Sequence, residues 1–369
     1  MTDHMSKIPA GLRYYFGAKA HLRRAVEDCA MSVFDGWCYE EIITPSVDYY
    51  SLFEHGMGAE VQRAFRFTDA DGRLLALRPD VTSSVARAAA TLLSERERPL
   101  RLCYAALVFR QRLQSHAAWR RESTQLGCEL LGMGGLRADL EVLAIAAETL
   151  KRLKVDDGCS ITLNNVEVFN GIAEGLALDD SSRERMRSLI DLRDSAELRR
   201  FLSERDTTAE ERDGFVRLTQ LSGKGQVIEQ ARRVITNARS AAALDELEEV
   251  WRVIEALGLG ASFEIDLGDV SELDYYTGLV FKIYVRGAGA RVGIGGRYDR
   301  LTANFGRAEP AIGFALELDS LTDVVALNRA NLVRDVARDS TTVAAGNVVE
   351  TFREATRRRS GGERVQIQL

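Results

Sequence analysis

The sequence predicts an α+β fold built on a largely antiparallel β-sheet. Strand patterns cluster near both ends of the core, an Asp71-Gly72 turn joins two of them as a hairpin, and residues 178–258 form a charge-rich helical block between them. The 369 residues are 46% hydrophobic and 28% charged, which is typical of a globular protein with room for one large domain and an insertion.

Composition argues against several classes of function. The net charge of −6 does not suggest nucleic-acid binding through a basic surface. Five cysteines and four histidines are scattered without a CxxC pair, so neither a disulfide framework nor a metal site is predicted. No signal peptide and no apolar run of membrane-spanning length is visible, and we therefore expect a cytoplasmic protein without membrane contact.

The N-terminal third alternates between helix and strand patterns. Apolar residues at helical spacing predict a helix over 18–34 that ends near Gly36, and YEEIITPSVDYY predicts a strand interrupted at Pro45. RAFRFTDADGRLLALRP predicts the hairpin. Thr82 and Ser83 are expected to cap the helix that follows.

The remaining core elements follow the same two periodicities. Strands are predicted over 101–110 and 124–131, which pair, and over 159–165, 262–268, 278–286 and 291–296; helices are predicted over 136–153, in the 178–258 block and after 311. After about Asn328 the chain turns polar, and a helix with a loose tail is expected.

Alternation along TQLGCELL places Gln125, Gly127 and Glu129 on one face of a strand, opposite an apolar face. A buried Glu129 needs a cationic or hydrogen-bond-donating partner. Arg110 on the neighbouring strand could form an internal ion pair with it, and a ligand is the alternative.

Two further features have both a structural and a ligand-binding interpretation. Asp80, just before a helix start, either caps that helix or faces a ligand ammonium group. The glycines of GIGGRYDRL do not form a phosphate-binding motif, and they permit close backbone approach beside Tyr298.

Asp80, Gln125, Glu129, Tyr276 and Tyr298 would together offer one concave polar surface. Carboxylates suit an ammonium group, an amide or arginine suits a carboxylate, and hydroxyls with Glu129 suit a small ring that carries N–H groups. This chemistry describes a free amino acid, with histidine as the best candidate.

Several motifs then resemble the catalytic core of histidyl-tRNA synthetases in order and spacing: FDGWCYEEIITPSVD, LRPDVT, VFR…TQLGCE, ELDYYTG, GGRYDRL and PAIGFALELDSL, over residues 8–325. The resemblance implies a class II aminoacyl-tRNA synthetase-like core with a mainly antiparallel sheet flanked by helices. It implies that Asp80 contacts the histidine ammonium, that Gln125 contacts the backbone end of the amino acid, and that Arg110 is the motif 2 arginine. The histidine-binding residues that it implies are Asp80, Thr82, Arg110, Gln125, Glu129, Tyr275, Tyr276 and Tyr298.

The chain departs from those synthetases where they handle ATP. They have R-G-L-D-Y-Y where residues 271–276 are SELDYY, the motif 2 acid is replaced by Arg112, and the motif 3 arginine by Ser320. Losing such cations should lower the rate of adenylate formation by orders of magnitude. We therefore predict no catalytic residues, no metal and no cofactor.

This pattern resembles the synthetase-like regulatory subunits of ATP phosphoribosyltransferase. The resemblance implies a short-form catalytic subunit as partner, L-histidine as allosteric ligand, and a homodimer within a hetero-octamer. We assign residues 1–325 to the core, with the insertion at about 178–258, and 326–369 to a short C-terminal segment without an anticodon-binding domain. A divergent or truncated synthetase, and a histidine- or RNA-sensing paralogue, are the alternatives.

Overall fold

The computed structural model describes residues 7–111, 120–205, 207–270, 275–328, 341–343 and 347–367, without the side chains of 55–56 and 58–60. Its α-helices are α1 (Gly17–Gly36), α2 (Tyr50–Met57), α3 (Thr82–Ala90), α4 (Leu136–Arg152), α5 (Val166–Gly175), α6 (Asp180–Asp191), α7 (Ser195–Ser203), α8 (Ala209–Leu218), α9 (Gln226–Arg232), α10 (Ala238–Ala256), α11 (Leu318–Asn328) and α12 (Val348–Ser360). Its strands are β1 (Glu40–Glu41), β2 (Val47–Tyr49), β3 (Phe65–Thr68), β4 (Leu74–Leu77), β5 (Leu100–Phe109), β6 (Glu122–Leu131), β7 (Cys159–Asn165), β8 (Ser222–Gly223), β9 (Phe263–Asp266), β10 (Leu279–Val285), β11 (Gly293–Arg297), β12 (Ala311–Glu317), β13 (Thr341–Val343) and β14 (Val365–Ile367).

One sheet organises the described chain. Its strand order is β1-β5-β6-β12-β11-β10-β7-β9-β8, and only the β1–β5 and β7–β9 pairs are parallel. The remaining pairs are antiparallel. The predicted α+β class with a mainly antiparallel sheet is confirmed.

The two faces of this sheet have different partners. One face carries the largest apolar cluster, in which Leu126 and Cys128 of β6 pack with buried residues of α1 and α4. The opposite face carries a smaller cluster, in which Tyr104 of β5 and Val280 of β10 pack with Val85 of α3. Alternation along β5 and β6 therefore separates a core face from a face that is free to carry polar groups.

The predicted N-terminal elements are confirmed apart from one cap. Helix α1, the interruption of the strand at Pro45, and the β3–β4 hairpin are all present. The expected cap by Thr82 and Ser83 is wrong. Val81 is the N-cap residue of α3 and its apolar side chain makes no cap hydrogen bond, while the Thr82 hydroxyl donates to Glu129.

The helical pattern predicted over 178–258 is confirmed by α6 to α10. Buried residues of these helices, such as Phe201, Leu244 and Trp251, join the same apolar cluster as the core face of the sheet. The short strand β8 extends that sheet by pairing with β9. The helical block is therefore packed continuously with the sheet.

The C-terminal segment differs from the expected helix and loose tail. The helix exists as α12, but residues 365–367 form β14, which pairs in parallel with β13. Both strands are only three residues long, which is too short to show an alternating apolar pattern, so the sequence does not predict this pairing. Within the ranges given above, no helix has the length and apolarity needed to cross a membrane.

Candidate functional site

A cavity of about 40 Å³ opens on the polar face of the sheet, next to the start of α3. Every residue predicted to bind an amino acid lines this cavity. The lining residues are Met57, Asp80, Thr82, Arg110, Gln125, Glu129, Tyr275, Tyr276, Ile294, Tyr298, Gly313, Phe314 and Ala315.

Glu129 lies at the base of this cavity and is held by three hydroxyl groups. Thr82 Oγ1 donates to Glu129 Oε1 at 2.8 Å, Tyr104 OH donates to the same oxygen at 3.1 Å, and Tyr298 OH donates to Oε2 at 2.5 Å. The side chain is 1% exposed. The predicted alternative of an ion pair with Arg110 is wrong, because neutral hydroxyl groups hold the carboxylate.

Burial decides the protonation of this carboxyl group. Desolvation raises the pKa of Glu129 to about 7, although the hydroxyl donors favour the charged form. The negative charge of the nearby Asp80 contributes to this rise in the Glu129 pKa. Glu129 is therefore poised to exchange a proton near neutral pH, which suits a group that contacts a titratable ring.

Two glycines make room for the hydroxyl network. A Cβ atom on Gly313 of β12 would overlap Glu129 Oε2, and one on Gly127 of β6 would overlap the Tyr104 ring. A Cβ atom on Gly296 would lie 2.8 Å from Cε1 of Tyr276. The glycines of GIGG thus allow a close approach between the strand and a pocket tyrosine.

Three aromatic rings form one wall. The ring centroids of Tyr275 and Tyr276 are 4.8 Å apart, and those of Tyr275 and Tyr298 are 5.9 Å apart with the planes nearly perpendicular. Burial raises the pKa of all three phenols, so they act as neutral hydrogen-bonding groups. Such a wall suits a flat polar ring.

Asp80 is the second buried acid that lines the cavity. Its carboxylate contacts the backbone N–H and the hydroxyl of Ser83, both at 3.4 Å, which is long for a helix cap. Burial raises the Asp80 pKa, and the charge of Arg110 lowers it. A buried acid with such weak partners is well placed to receive a ligand ammonium group.

Arg110 and Gln125 supply the N–H groups that line the cavity. Arg110 Nε donates to the Pro79 carbonyl at 2.6 Å, and its Nη1 lies 3.7 Å from Glu317 Oε1. Gln125 Nε2 donates to the same Glu317 oxygen at 3.3 Å. The arrangement thus offers acceptors for an ammonium group and a ring, and donors for a carboxylate.

Some of the predicted features lie outside the described residues. These are the departures from the synthetase pattern at 271–274 and at Arg112, and most of the connector between β5 and β6. Ser320 is described and lies in the first turn of α11. Gln111 is also described, and its N–H donates to the Arg63 carbonyl at 2.6 Å.

Sequence reasoning missed two functional residues of this site. Tyr104 faces Gly127 across the β5–β6 pair, and Gly313 faces Glu129 across the β6–β12 pair. Alternation already placed Tyr104 on the same face as Arg110, which was a usable signal. No sequence pattern indicated a role for Gly313, because its partner strand becomes known only with the order of the strands in the sheet.

Known proteins share this fold over most of the chain. The family model described as "Histidyl-tRNA synthetase" matches residues 11–321. A protein of Moorella thermoacetica named "ATP phosphoribosyltransferase regulatory subunit" is 39% identical over 85% of this chain and 81% of its own length. A protein of the same name from Syntrophotalea carbinolica is 35% identical over 89% of this chain and 76% of its own length.

A solved structure agrees with these sequence matches. It is titled as an ATP phosphoribosyltransferase regulatory subunit/histidyl-tRNA synthetase from Bacillus halodurans C, and it superposes with a TM-score of 0.84 at 27% identity. The match covers 99% of this chain and 93% of that one. The chain therefore belongs to the histidyl-tRNA synthetase-like family, among the relatives named as ATP phosphoribosyltransferase regulatory subunits.

Proposed function

We propose that this chain is a non-catalytic regulatory subunit of ATP phosphoribosyltransferase. In this role it activates a short-form catalytic subunit and carries feedback inhibition by L-histidine in the first step of histidine biosynthesis. The observation that carries the proposal is the convergence of the eight predicted residues on one cavity around Glu129. We infer the catalytic subunit as partner from the names of the relatives.

The cavity chemistry fits L-histidine group by group. Asp80 accepts from the ammonium group, while Gln125 and Arg110 donate to the carboxylate. The imidazole lies against the tyrosine wall and donates a ring N–H to Glu129, whose hydroxyl partners fix the position of its oxygens. An amino acid with an apolar side chain would leave Glu129 without this additional donor, so it should bind more weakly.

The proposed lack of catalysis rests on the positions that would meet ATP. The sequence has Ser271, Arg112 and Ser320 where synthetases have two arginines and an acid. Glu317 adds a carboxylate 3.7 Å from Arg110, which weakens that arginine as a partner for a phosphate group. A site with this charge pattern favours the free amino acid over an adenylate.

Feedback inhibition then follows from linkage. If L-histidine binds the less active quaternary arrangement of the complex more tightly, it shifts the catalytic subunit toward that arrangement. A coupling of about 1–3 kcal/mol corresponds to roughly 5- to 150-fold in affinity and is enough for inhibition.

The test measures phosphoribosyl-ATP formation by a short-form catalytic subunit of the same source, with and without this chain, across an L-histidine titration. We expect activation by the chain and inhibition that depends on it. Glu129→Gln should keep the activation and lose the inhibition. Glu354→Gln, which changes an acid in α12 outside the cavity lining, is the matched control and should keep both.

Other outcomes distinguish the alternatives. A chain that changes neither the rate nor the histidine response contradicts the proposal. Histidine-dependent ATP–pyrophosphate exchange would favour a divergent synthetase. Salt-dependent binding of tRNA would favour an RNA-sensing paralogue.

A further inference from the structure

Glu317 ends β12 beside the ligand cavity. Gly313, Ala315 and Glu317 share one face of β12, and the first two residues line the cavity. In the strand register Glu317 lies opposite Gln125 of β6, as Gly313 lies opposite Glu129. The Glu317 side chain therefore extends the row of groups that faces the ligand.

The two donors proposed for the ligand carboxylate both contact this side chain. Glu317 Oε1 accepts from Gln125 Nε2 at 3.3 Å and lies 3.7 Å from Arg110 Nη1. An α-carboxylate that approaches the same two donors meets a carboxylate that already holds them. Two like charges that share one amide and one guanidinium repel each other, so each weakens the binding of the other.

The contacts of Glu317 are weak enough to be exchanged. Its side chain is 25% exposed and that of Arg110 is 29% exposed, so solvent screens the pair. The 3.7 Å separation exceeds a direct hydrogen bond. Arg110 also keeps its 2.6 Å bond to the Pro79 carbonyl, which holds the guanidinium in place when Glu317 moves.

We propose that Glu317 is an internal competitor for the ligand carboxylate and sets the affinity of the site. It holds Gln125 and Arg110 when the site is empty and yields them when an amino acid binds. This inference rests on the proposed function, because it takes L-histidine as the ligand. A built-in competitor lowers the affinity without removing any group that recognises the ring.

The test compares L-histidine with L-histidinol, which has the same ring and ammonium group but no carboxylate. Both ligands are titrated by calorimetry into the wild-type chain and into Glu317→Gln. We expect L-histidine to bind the variant about tenfold more tightly, since a like charge a few ångströms away is removed. L-Histidinol should gain nothing, so the preference for the carboxylate should rise about tenfold.

Glu27→Gln is the matched control. Glu27 lies in α1, is 17% exposed and pairs with Arg24 at 2.8 Å, and it does not line the cavity. Its replacement should leave both affinities unchanged. Glu317→Ala repeats the test without an amide that could hydrogen-bond to Gln125.

The outcomes separate this inference from the proposed function. If L-histidine binds and the preference between the two ligands is the same in the wild type and both Glu317 variants, Glu317 is not a competitor. Weaker L-histidine binding in the variants also overturns the inference, because Glu317 would then help to hold the ligand. If neither ligand binds the wild type or the variants, L-histidine is the wrong ligand and both proposals fail.

Discussion

Glu129 combines deep burial with a pKa near neutrality. Its folded-state pKa of about 7 lies above the value of 4.5 expected for an exposed glutamate. An acid whose pKa is raised by folding stabilises the protein most below the unfolded-state pKa, and this contribution is lost as the pH rises through the folded-state pKa. The loss between about pH 4.5 and 7 is on the order of 3 kcal/mol.

The first prediction is that Glu129→Gln becomes more stable relative to the wild type as the pH rises. The amide carries no charge to bury, so the difference in unfolding free energy should shift in favour of the variant by roughly 2–3 kcal/mol between pH 5 and pH 8. Urea denaturation at several pH values measures it.

Glu354→Gln is the control for this pH dependence. Hydrogen bonds from Arg357 and Arg358 lower the Glu354 pKa to about 2, so this partly exposed acid stays ionised throughout the range. Its replacement should change stability by the same amount at pH 5 and pH 8. A pH-independent difference for Glu129→Gln would contradict the buried-acid account.

Gly313 is the second residue whose substitution is informative. A Cβ atom there would overlap Glu129 Oε2, so Gly313→Ala should displace the carboxylate from its hydroxyl partners. We expect a loss of about 1–3 kcal/mol in unfolding free energy and at least tenfold weaker L-histidine binding. Thermal unfolding and calorimetric titration measure the two effects.

Gly36→Ala provides the comparison for Gly313→Ala. Gly36 is the last residue of α1, and a Cβ atom there would meet nothing within 4 Å. Alanine at this position should leave ligand affinity unchanged. Normal L-histidine binding by Gly313→Ala would mean that the carboxylate position is not essential.

At the scale of elements, β7 and β10 anchor the segment that leads to the pocket tyrosines. Lys282 of β10 forms an ion pair with Asp269, and both side chains are more than nine-tenths buried. Thr162 Oγ1 of β7 donates to Asp269 Oδ2 at 2.7 Å, and Asn164 Nδ2 donates to the Asp269 carbonyl at 3.2 Å. Asp269, which these contacts hold, precedes Tyr275 by only a few positions in the sequence.

The third prediction is that Lys282→Met destabilises the protein by about 3–5 kcal/mol, because Asp269 would remain buried without its cation. Weaker L-histidine binding should accompany this loss, since the tyrosine segment loses an anchor. Urea denaturation and calorimetry test both effects.

The double variant Lys282→Met/Asp269→Asn tests the electrostatic explanation. It removes both charges and keeps an oxygen that can accept from Thr162, so it should recover much of the lost stability. If the double variant is as unstable as the sum of its two single variants, the ion pair is not the cause.

At the scale of the whole molecule, the β2–β4–β3 sheet exposes an apolar face. Val47, Tyr49 and Phe67 are 39%, 44% and 42% exposed, and the strand register places them on the same side as Leu75 and Leu77. A contiguous apolar face of this kind is unusual on a monomer and is typical of a protein interface. The fold resemblance implies a homodimer through the region around Pro45, which directly precedes this sheet.

The fourth prediction is that the chain forms a homodimer through this face. Sedimentation velocity should give twice the 40.9 kDa chain mass, and Phe67→Glu should shift the protein toward monomers by placing a charge in the interface. Leu257→Glu, at another exposed apolar residue, should not. A wild-type monomer, or a dimer unaffected by Phe67→Glu, would contradict this interface.

The sequence by itself determined most of the core elements and the face that carries the site. Helical and alternating periodicity predicted α1, the β3–β4 hairpin and the two faces of β6, because these patterns are properties of consecutive residues. The same alternation identified Glu129 as a polar group that needs partners. Motif order then identified the other cavity residues from their resemblance to a known family.

Only the tertiary structure decided what each of these side chains contacts. The sequence predicts that Thr82 caps α3 and offers Arg110 as a partner for Glu129, whereas in the structure Thr82 donates to Glu129 and Arg110 faces Glu317. Tyr298 contacts Glu129 although 169 positions separate them in sequence. These contacts depend on the strand order β5-β6-β12-β11-β10 and on its registers, which local periodicity does not specify, because a side chain's partner across a sheet belongs to a distant part of the chain.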